Sequence, residues 1–261
     1  MRFSPLFISH GSPQLVIEDS PARDFLKSYG AEIGKPKAIV IASAHFNANR
    51  PAVVVDPHPG MIYDFGGFDQ SLFEMVYPAP GDPALARKVA ERLRTAGLGP
   101  VYVPERGYDH GVWVPLMLLF PDADVPVVQI SLQPALGAAH HVTLGRAIAD
   151  LADDGILVIG SGSLTHNLQE FFRGSHAPDE PPPEWVAAFT DWMFEKVTAG
   201  EVDDLVHYRE RAPFARENHP SEEHLLPLHV ALGAAGNGAK GRRLHTSHRN
   251  GVLAMDTYAF G

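Results

Sequence analysis

The feature that most constrains this chain is a set of short, β-rich apolar runs that do not alternate with polar residues. Phe3–Ser9, Lys37–Ser43, Val125–Ser131 and Ile156–Gly160 are of this kind, and each ends in small or polar residues. A strand that is apolar on both sides must be covered on both sides, which is the environment of a parallel sheet between layers of helix. Ala52–Asp56 and Val101–Pro104 are shorter runs of the same type. Helical patterns fall between and after them. Pro83–Ala96 places Leu85, Val89 and Leu93 on one face, with Gly97 just past its end. Ala138–Leu151 and Pro183–Val197 also read as helices, the second with Trp185, Phe189, Trp192 and Met193 as its apolar stripe. A fourth is expected to open at Ser221 as N-cap, with Glu222, Glu223 and His224 in its first turn. Gly174–Pro183 reads as a surface loop, and Gly233–Gly241 as a flexible connection into a C-terminal strand, Val252–Phe260. Strand and helix alternate through the first 165 residues. The expected fold is therefore α/β: a single domain over 1–261 with a central mixed, mainly parallel sheet flanked by helices.

Composition removes several functions. A chain of 261 residues can bury a sizeable core. With no cysteine, a disulfide framework, a thiolate zinc site, an iron–sulfur cluster and a cysteine nucleophile are excluded, and a reducing cytoplasm is the expected location. The opening MRFSPLFISHGSP has no basic segment followed by an apolar core, so it does not read as a signal peptide. No stretch reaches the roughly 20 apolar residues of a membrane span. Net charge is −10, and the segment 150–223 alone carries 16 acidic against 5 basic residues. Without a basic stripe, neither nucleic acid nor an anionic membrane is an expected partner. H-E-x-x-H, the phosphate-binding G-x-x-x-x-G-K-[ST] loop and the G-x-S-x-G serine elbow are all absent from the sequence.

Histidine is the informative residue: there are 14. His10 follows the first strand in FISHGSP, His45 the second in IVIASAHF, and His166 the Ile156–Gly160 strand in VIGSGSLTHN. His110 lies in GYDHGVWVPL, read as a loop after Val101–Pro104. Loops leaving the carboxyl ends of parallel strands share one sheet edge, where ligands bind, so four such histidines are expected to converge without any local motif linking them. His224 is a fifth candidate, and either Glu222 or Glu223 beside it could be a carboxylate ligand. His140 and His141 read as a solvated helix face, and His58, His176, His207, His245 and His248 as surface residues. The glycines of Gly160–Ser163 read as a tight turn that lets His166 approach the site. Arg106 and Arg173 read as solvated charges, although either could bind a carboxylate. Three imidazoles, or two and a carboxylate, suit zinc or non-haem Fe(II) better than magnesium or calcium. An open metal position beside a spare histidine points to a mononuclear metal enzyme with a histidine base, either an iron enzyme or a zinc hydrolase. A third reading is an interaction module without catalysis.

The strings FISHGSP, SAHF, GYDHGVWVPL, GSGSLTHNL and HLLPL, in this order, resemble the class III extradiol ring-cleavage dioxygenases. The resemblance spans essentially the whole chain. It is nearest to the 4,5-DOPA-dioxygenase-like branch, related to the catalytic subunit of protocatechuate 4,5-dioxygenase. It implies that His10, His45 and His224 hold the metal, that His166 is the base, and that His110 lines the substrate site. It also implies Fe(II) for activity, with Zn(II) able to fill the same ligands, and a catechol-type substrate and O2 as partners. The protocatechuate enzyme has a glutamate as third ligand, so at this position His224 stands against Glu223.

Overall fold

In the computed structural model, which describes residues 2–174 and 177–261, the apolar runs form the middle of one eight-stranded sheet. Its strands are β1 (Leu6–Ser9), β2 (Ala38–Asn47), β3 (Ala52–Val54), β4 (Val101–Val103), β5 (Val127–Leu132), β6 (Ile156–Gly162), β7 (Gly241–His245) and β10 (Thr257–Phe260). Two short strands, β8 (His248–Arg249) and β9 (Leu253–Ala254), pair separately. The sheet order is β4-β3-β5-β2-β6-β1-β10-β7. Pairing is parallel through β5-β2-β6-β1 and between β3 and β4, and antiparallel where β3 meets β5 and where β10 joins β1 and β7.

The helices are α1 (Pro21–Ile33), α2 (Pro83–Thr95), α3 (His110–Leu119), α4 (Gly137–Ala147), α5 (Leu168–Arg173), α6 (Glu184–Ala199), α7 (Val202–Val206), α8 (Tyr208–Arg211), α9 (Ala215–Asn218) and α10 (Leu226–Ala234). The strand period of two divides the core between the faces of the sheet. Leu6, Ile8, Ile39, Ile41, Leu157 and Ile159 pack with α1 and α3 on one side. Phe7, Val40, Val128 and Val158 pack with α2, α4, α6 and α10 on the other. The mixed α/β sandwich expected from the apolar runs is thus the observed one. Among the described residues no helix is long and apolar enough to cross a membrane.

Several local expectations are corrected. The last helix opens at Leu226, not after Ser221, because Pro227 is accommodated only in a first turn. The Ser221 hydroxyl hydrogen-bonds Glu223 at 2.9 Å instead of capping a helix, and His224 lies in the turn before α10. His110 is not in a loop but is the first residue of α3. The stretch expected as one strand, Val252–Phe260, is divided into β9 and β10, and β7 begins at Gly241, where the expected flexible connection ends. The helix α1, capped by Ser20, has no counterpart in the sequence reading.

His140 and His141 also depart from a solvated face. His141 is fully buried: its Nδ1 donates to the Gly137 carbonyl at 2.7 Å, and its Nε2 accepts from the Gln133 backbone N–H at 3.0 Å. His140 meets the Gln133 side chain at 2.9 Å. His58 and His207 are exposed as expected, whereas His245 and His248 are half-buried and His176 lies outside the described residues. A backbone donor aimed at Nε2 leaves no place for a second proton, and burial pushes the His141 pKa down to about 3. Burial likewise pushes His219, also enclosed, down to about 3. In the unfolded chain such groups titrate near about 6.5. Between these values the unfolded state binds more protons, so stability is complete above about pH 6.5 and is lost as pH falls toward 3. Each such histidine contributes up to about 1.4 kcal/mol per pH unit within that window. The thermal midpoint is expected to hold above about pH 7 and to fall steadily from about pH 6.5 to pH 5. An unchanged midpoint across this range would contradict the assignment.

Candidate active site

Five histidines meet at the carboxyl edge of the parallel strands, and each is delivered by a different segment. His10 follows β1, and its backbone N–H is held by Gly162 O at 2.9 Å. His45 lies on β2, whose register against β5 jumps from Ala42–Ile130 to Asn47–Leu132. This bulge carries three more residues on β2 than on β5 and re-aims the side chain. His110 begins α3, His166 follows β6, and His224 precedes α10. The His166 backbone N–H is tied to Asn218 O at 2.9 Å, and the His224 carbonyl accepts from Ser163 N at 2.8 Å. A Cβ on Gly162 would lie 2.1 Å from His224 O, and one on Gly160 would lie 2.0 Å from Pro227 O. The two glycines are therefore strand residues that admit the His224 segment, not a turn that serves His166.

The rings are close. His10 and His45 are 5.1 Å apart by centroid, His45 and His110 4.0 Å, His45 and His224 4.9 Å, and His10 and His224 5.7 Å. His166 stacks on His224 at 3.5 Å and 7°. Two groups of potential ligand atoms lie within 4.8 Å of one another: His10, His45 and His110, and His166, Glu223 and His224.

The hydrogen bonds decide which nitrogens are bare. The Ser161 hydroxyl donates to Gly111 O, so its oxygen accepts from His10 Nδ1 at 2.9 Å. Asp64 Oδ2 lies 3.2 Å from His45 Nδ1, and Asp64 Oδ1 accepts from His110 Nδ1 at 2.9 Å and from the His110 backbone N–H at 3.1 Å. Glu223 Oε1 lies 3.2 Å from His224 Nδ1. Each of these partners is an acceptor, so the rings carry a proton on Nδ1, and His10, His45 and His224, kept neutral by burial, hold a lone pair on Nε2. His10 Nε2 and His45 Nε2 then face each other at 3.2 Å with no proton between them. Two opposed lone pairs at that distance call for an electrophile, and neutral imidazoles backed by acceptors are the usual donor set for a transition metal. The residues fit a metal.

Electrostatics agree with this tautomer pattern. Burial, reinforced by neighbouring histidines, holds His10 and His224 well below the usual histidine value. Burial and His110 bring His45 to about 3, against the opposing pull of Asp64. Burial lowers His166 to about 4. Burial alone would raise Asp64, but the hydrogen bond from His110 and the neighbouring rings hold it at about 2. At neutral pH His10, His45, His166 and His224 are uncharged beside an ionised Asp64.

The D-H-G motif is explained by contacts. Asp109 is buried, accepts from the Ser43 hydroxyl at 2.7 Å and pairs with Arg106 at 2.7 Å. Arg106 also donates to His45 O at 3.3 Å and lies over the Phe46 ring. It is a clamp on the β2 bulge, not the solvated charge expected from sequence. Arg173 is exposed and pairs with Glu170, as expected of a surface charge. Gly111 allows α3 to approach, since a Cβ there would lie 2.4 Å from Ser43 Oγ. Phe65 meets His110 edge-on at 6.0 Å and lies 6.1 Å from Trp113, giving the site an aromatic wall. Sequence reasoning missed Asp64, Phe65 and Ser161. An acid within the aromatic string MIYDFGGF was the available signal for the first two.

A parallel sheet edge that presents neutral, inward-facing histidines defines a metal-dependent enzyme class, and comparison makes it specific. The chain belongs to the family described as the catalytic LigB subunit of aromatic ring-opening dioxygenase, which matches residues 5–260. It is an extradiol ring-cleaving dioxygenase, an oxidoreductase of a metal-dependent family that acts on a small aromatic substrate with O2. Among similar proteins is the 4,5-DOPA dioxygenase extradiol of Beta vulgaris, 42% identical over 258 residues, covering 97% of this chain and 95% of that one. The Escherichia coli (strain K12) protein of the same description is 38% identical over 239 residues, covering 89% and 85%. The crystal structure of an uncharacterized Escherichia coli K12 protein superposes with a TM-score of 0.81 at 31% identity, covering both chains completely.

Proposed function

We propose that the chain holds one Fe(II) with His10, His45 and His224 and opens the ring of a catechol related to DOPA, with His166 as base and His110 as a substrate-facing histidine. The observation that carries this reading is the pair of bare Nε2 atoms of His10 and His45 at 3.2 Å. The names of the relatives support the substrate class. Fe(II) supplies the redox chemistry that joins O2 to the ring, whereas Zn(II), accepted by the same ligands, is redox-inert.

The chain's own groups do the rest. Glu223 fixes the His224 ring through Nδ1 and acts as its orienting partner in place of a ligand. His166 is neutral and stacked face to face on His224, which leaves its edge free to take a phenolic proton. His110 stands between Asp64 and the Phe65 wall, where a planar ring is held by its face and a hydroxyl meets an imidazole. One specific observation favours a second reading: a ring nitrogen of His110 groups with those of His10 and His45, so His110 could complete the triad in place of His224.

The test is anaerobic reconstitution with Fe(II) followed by a screen of catechols. Stoichiometric O2 uptake with a yellow ring-opened product is expected for the iron form, and neither for the zinc form. An iron-loaded protein that consumes no O2 with any catechol would refute the reading.

A further inference from the structure

Outside the histidines, the side chain with the most connections in the site is Asp64, which no sequence motif singles out. It sits on the 61–76 segment, away from the strand ends, with its side chain 22% exposed. Two N–H donors of His110 converge on one of its oxygens, and His45 Nδ1 stands against the other. His110 N and His110 Nδ1 reach Oδ1 at 3.1 and 2.9 Å, and His45 Nδ1 lies 3.2 Å from Oδ2.

We propose that Asp64 is a positioning residue which, through its two carboxylate oxygens, locks His45 and His110 in the Nδ1–H tautomer and so couples metal capture by one ring to substrate orientation by the other. The inference rests on the reading of His45 as a metal ligand. Its logic is one of donors and acceptors. A carboxylate has only acceptors, so it takes both His110 N–H groups and faces His45 Nδ1 with a further acceptor. Asparagine has one oxygen and one NH2. With the oxygen toward His110, the NH2 meets His45 Nδ1–H donor to donor. The relief open to His45 is to carry its proton on Nε2, which removes the lone pair that faces His10 Nε2 at 3.2 Å. Turning the amide around instead places the NH2 against both His110 donors. A carboxylate behind a ligating imidazole also raises its basicity, and loss of such a partner typically costs about 10–100-fold in metal affinity.

The experiment uses the full-length chain, stripped of metal, as wild type, Asp64→Asn, Asp64→Glu and His45→Ala. Zn(II) affinity is measured by competition with a chromophoric chelator, and ring tautomers by long-range 1H–15N correlation spectra of the histidines. Asp64→Asn is expected to bind Zn(II) about 10–100-fold more weakly and to show a histidine newly protonated on Nε2. Asp64→Glu, which keeps two acceptors, is expected to recover most of the affinity. A residue that only braced the loop would alter the melting temperature without changing a tautomer. Wild-type affinity in Asp64→Asn overturns the proposal. So does an Nε2-protonated His45 in the wild-type spectrum, a measurement that stands even if the asparagine variant does not fold. The two ideas separate cleanly: His45→Ala with metal retained refutes the ligand reading, whereas His45→Ala without metal beside an unimpaired Asp64→Asn refutes only the role given to Asp64.

Discussion

Alanine at His10 or at His45 is expected to eliminate stoichiometric metal and to bring ring cleavage to background. His10 is buried and His45 half-buried around a shared gap, and the partners on their Nδ1 atoms leave Nε2 as the only free donor. Removing either ring takes away a ligand and leaves a buried hole that water fills without replacing the imidazole. Elemental analysis after Fe(II) reconstitution and gel filtration checks this; full occupancy in both variants would sink the assignment. The third ligand is decided by the same measurement. If His224 completes the triad, His224→Ala loses metal, while His110→Ala retains it and is impaired in turnover. The opposite pattern would move the triad to His10, His45 and His110. Metal retained in His224→Ala but lost in Glu223→Ala would identify a two-histidine, one-carboxylate site.

For His166 the expected loss is of turnover alone. It stacks on His224 at 3.5 Å, so it can reach a bound substrate without being needed to hold the metal. General acid–base groups contribute about 10²–10⁴-fold, and kcat for ring cleavage in His166→Gln is expected to fall by that order. Glutamine fills the stacking position and can hydrogen-bond a hydroxyl, but it cannot accept the proton. Iron content should remain that of the wild type. Metal loss would make His166 a ligand, and near-normal kcat with metal retained would show that it is not the base.

Much of this arrangement was legible before any coordinates. Runs such as Lys37–Ser43 and Val125–Ser131 carry no polar alternation, and burial on both faces follows directly from that. Once those strands are parallel, the residues after them must share an edge, so His10, His45 and His166 could be placed together from sequence. The weaker signals misled. A plausible cap at Ser221 was overruled by Pro227, which sets the start of α10. His141 looked solvated beside His140, but packing of α4 closed over it and satisfied both ring nitrogens.

The α/β sheet and the histidines along its edge could be read along the chain, because apolar patterning is a property of neighbouring residues. The side of each ring that carries its proton came from the packing of distant segments. Ser161 comes from β6, Asp64 from the 61–76 segment and Glu223 from the turn before α10. A ring's tautomer depends on which of its two nitrogens meets an acceptor within about 3 Å. That is a property of distances between segments far apart in the chain, and no pattern along it records them.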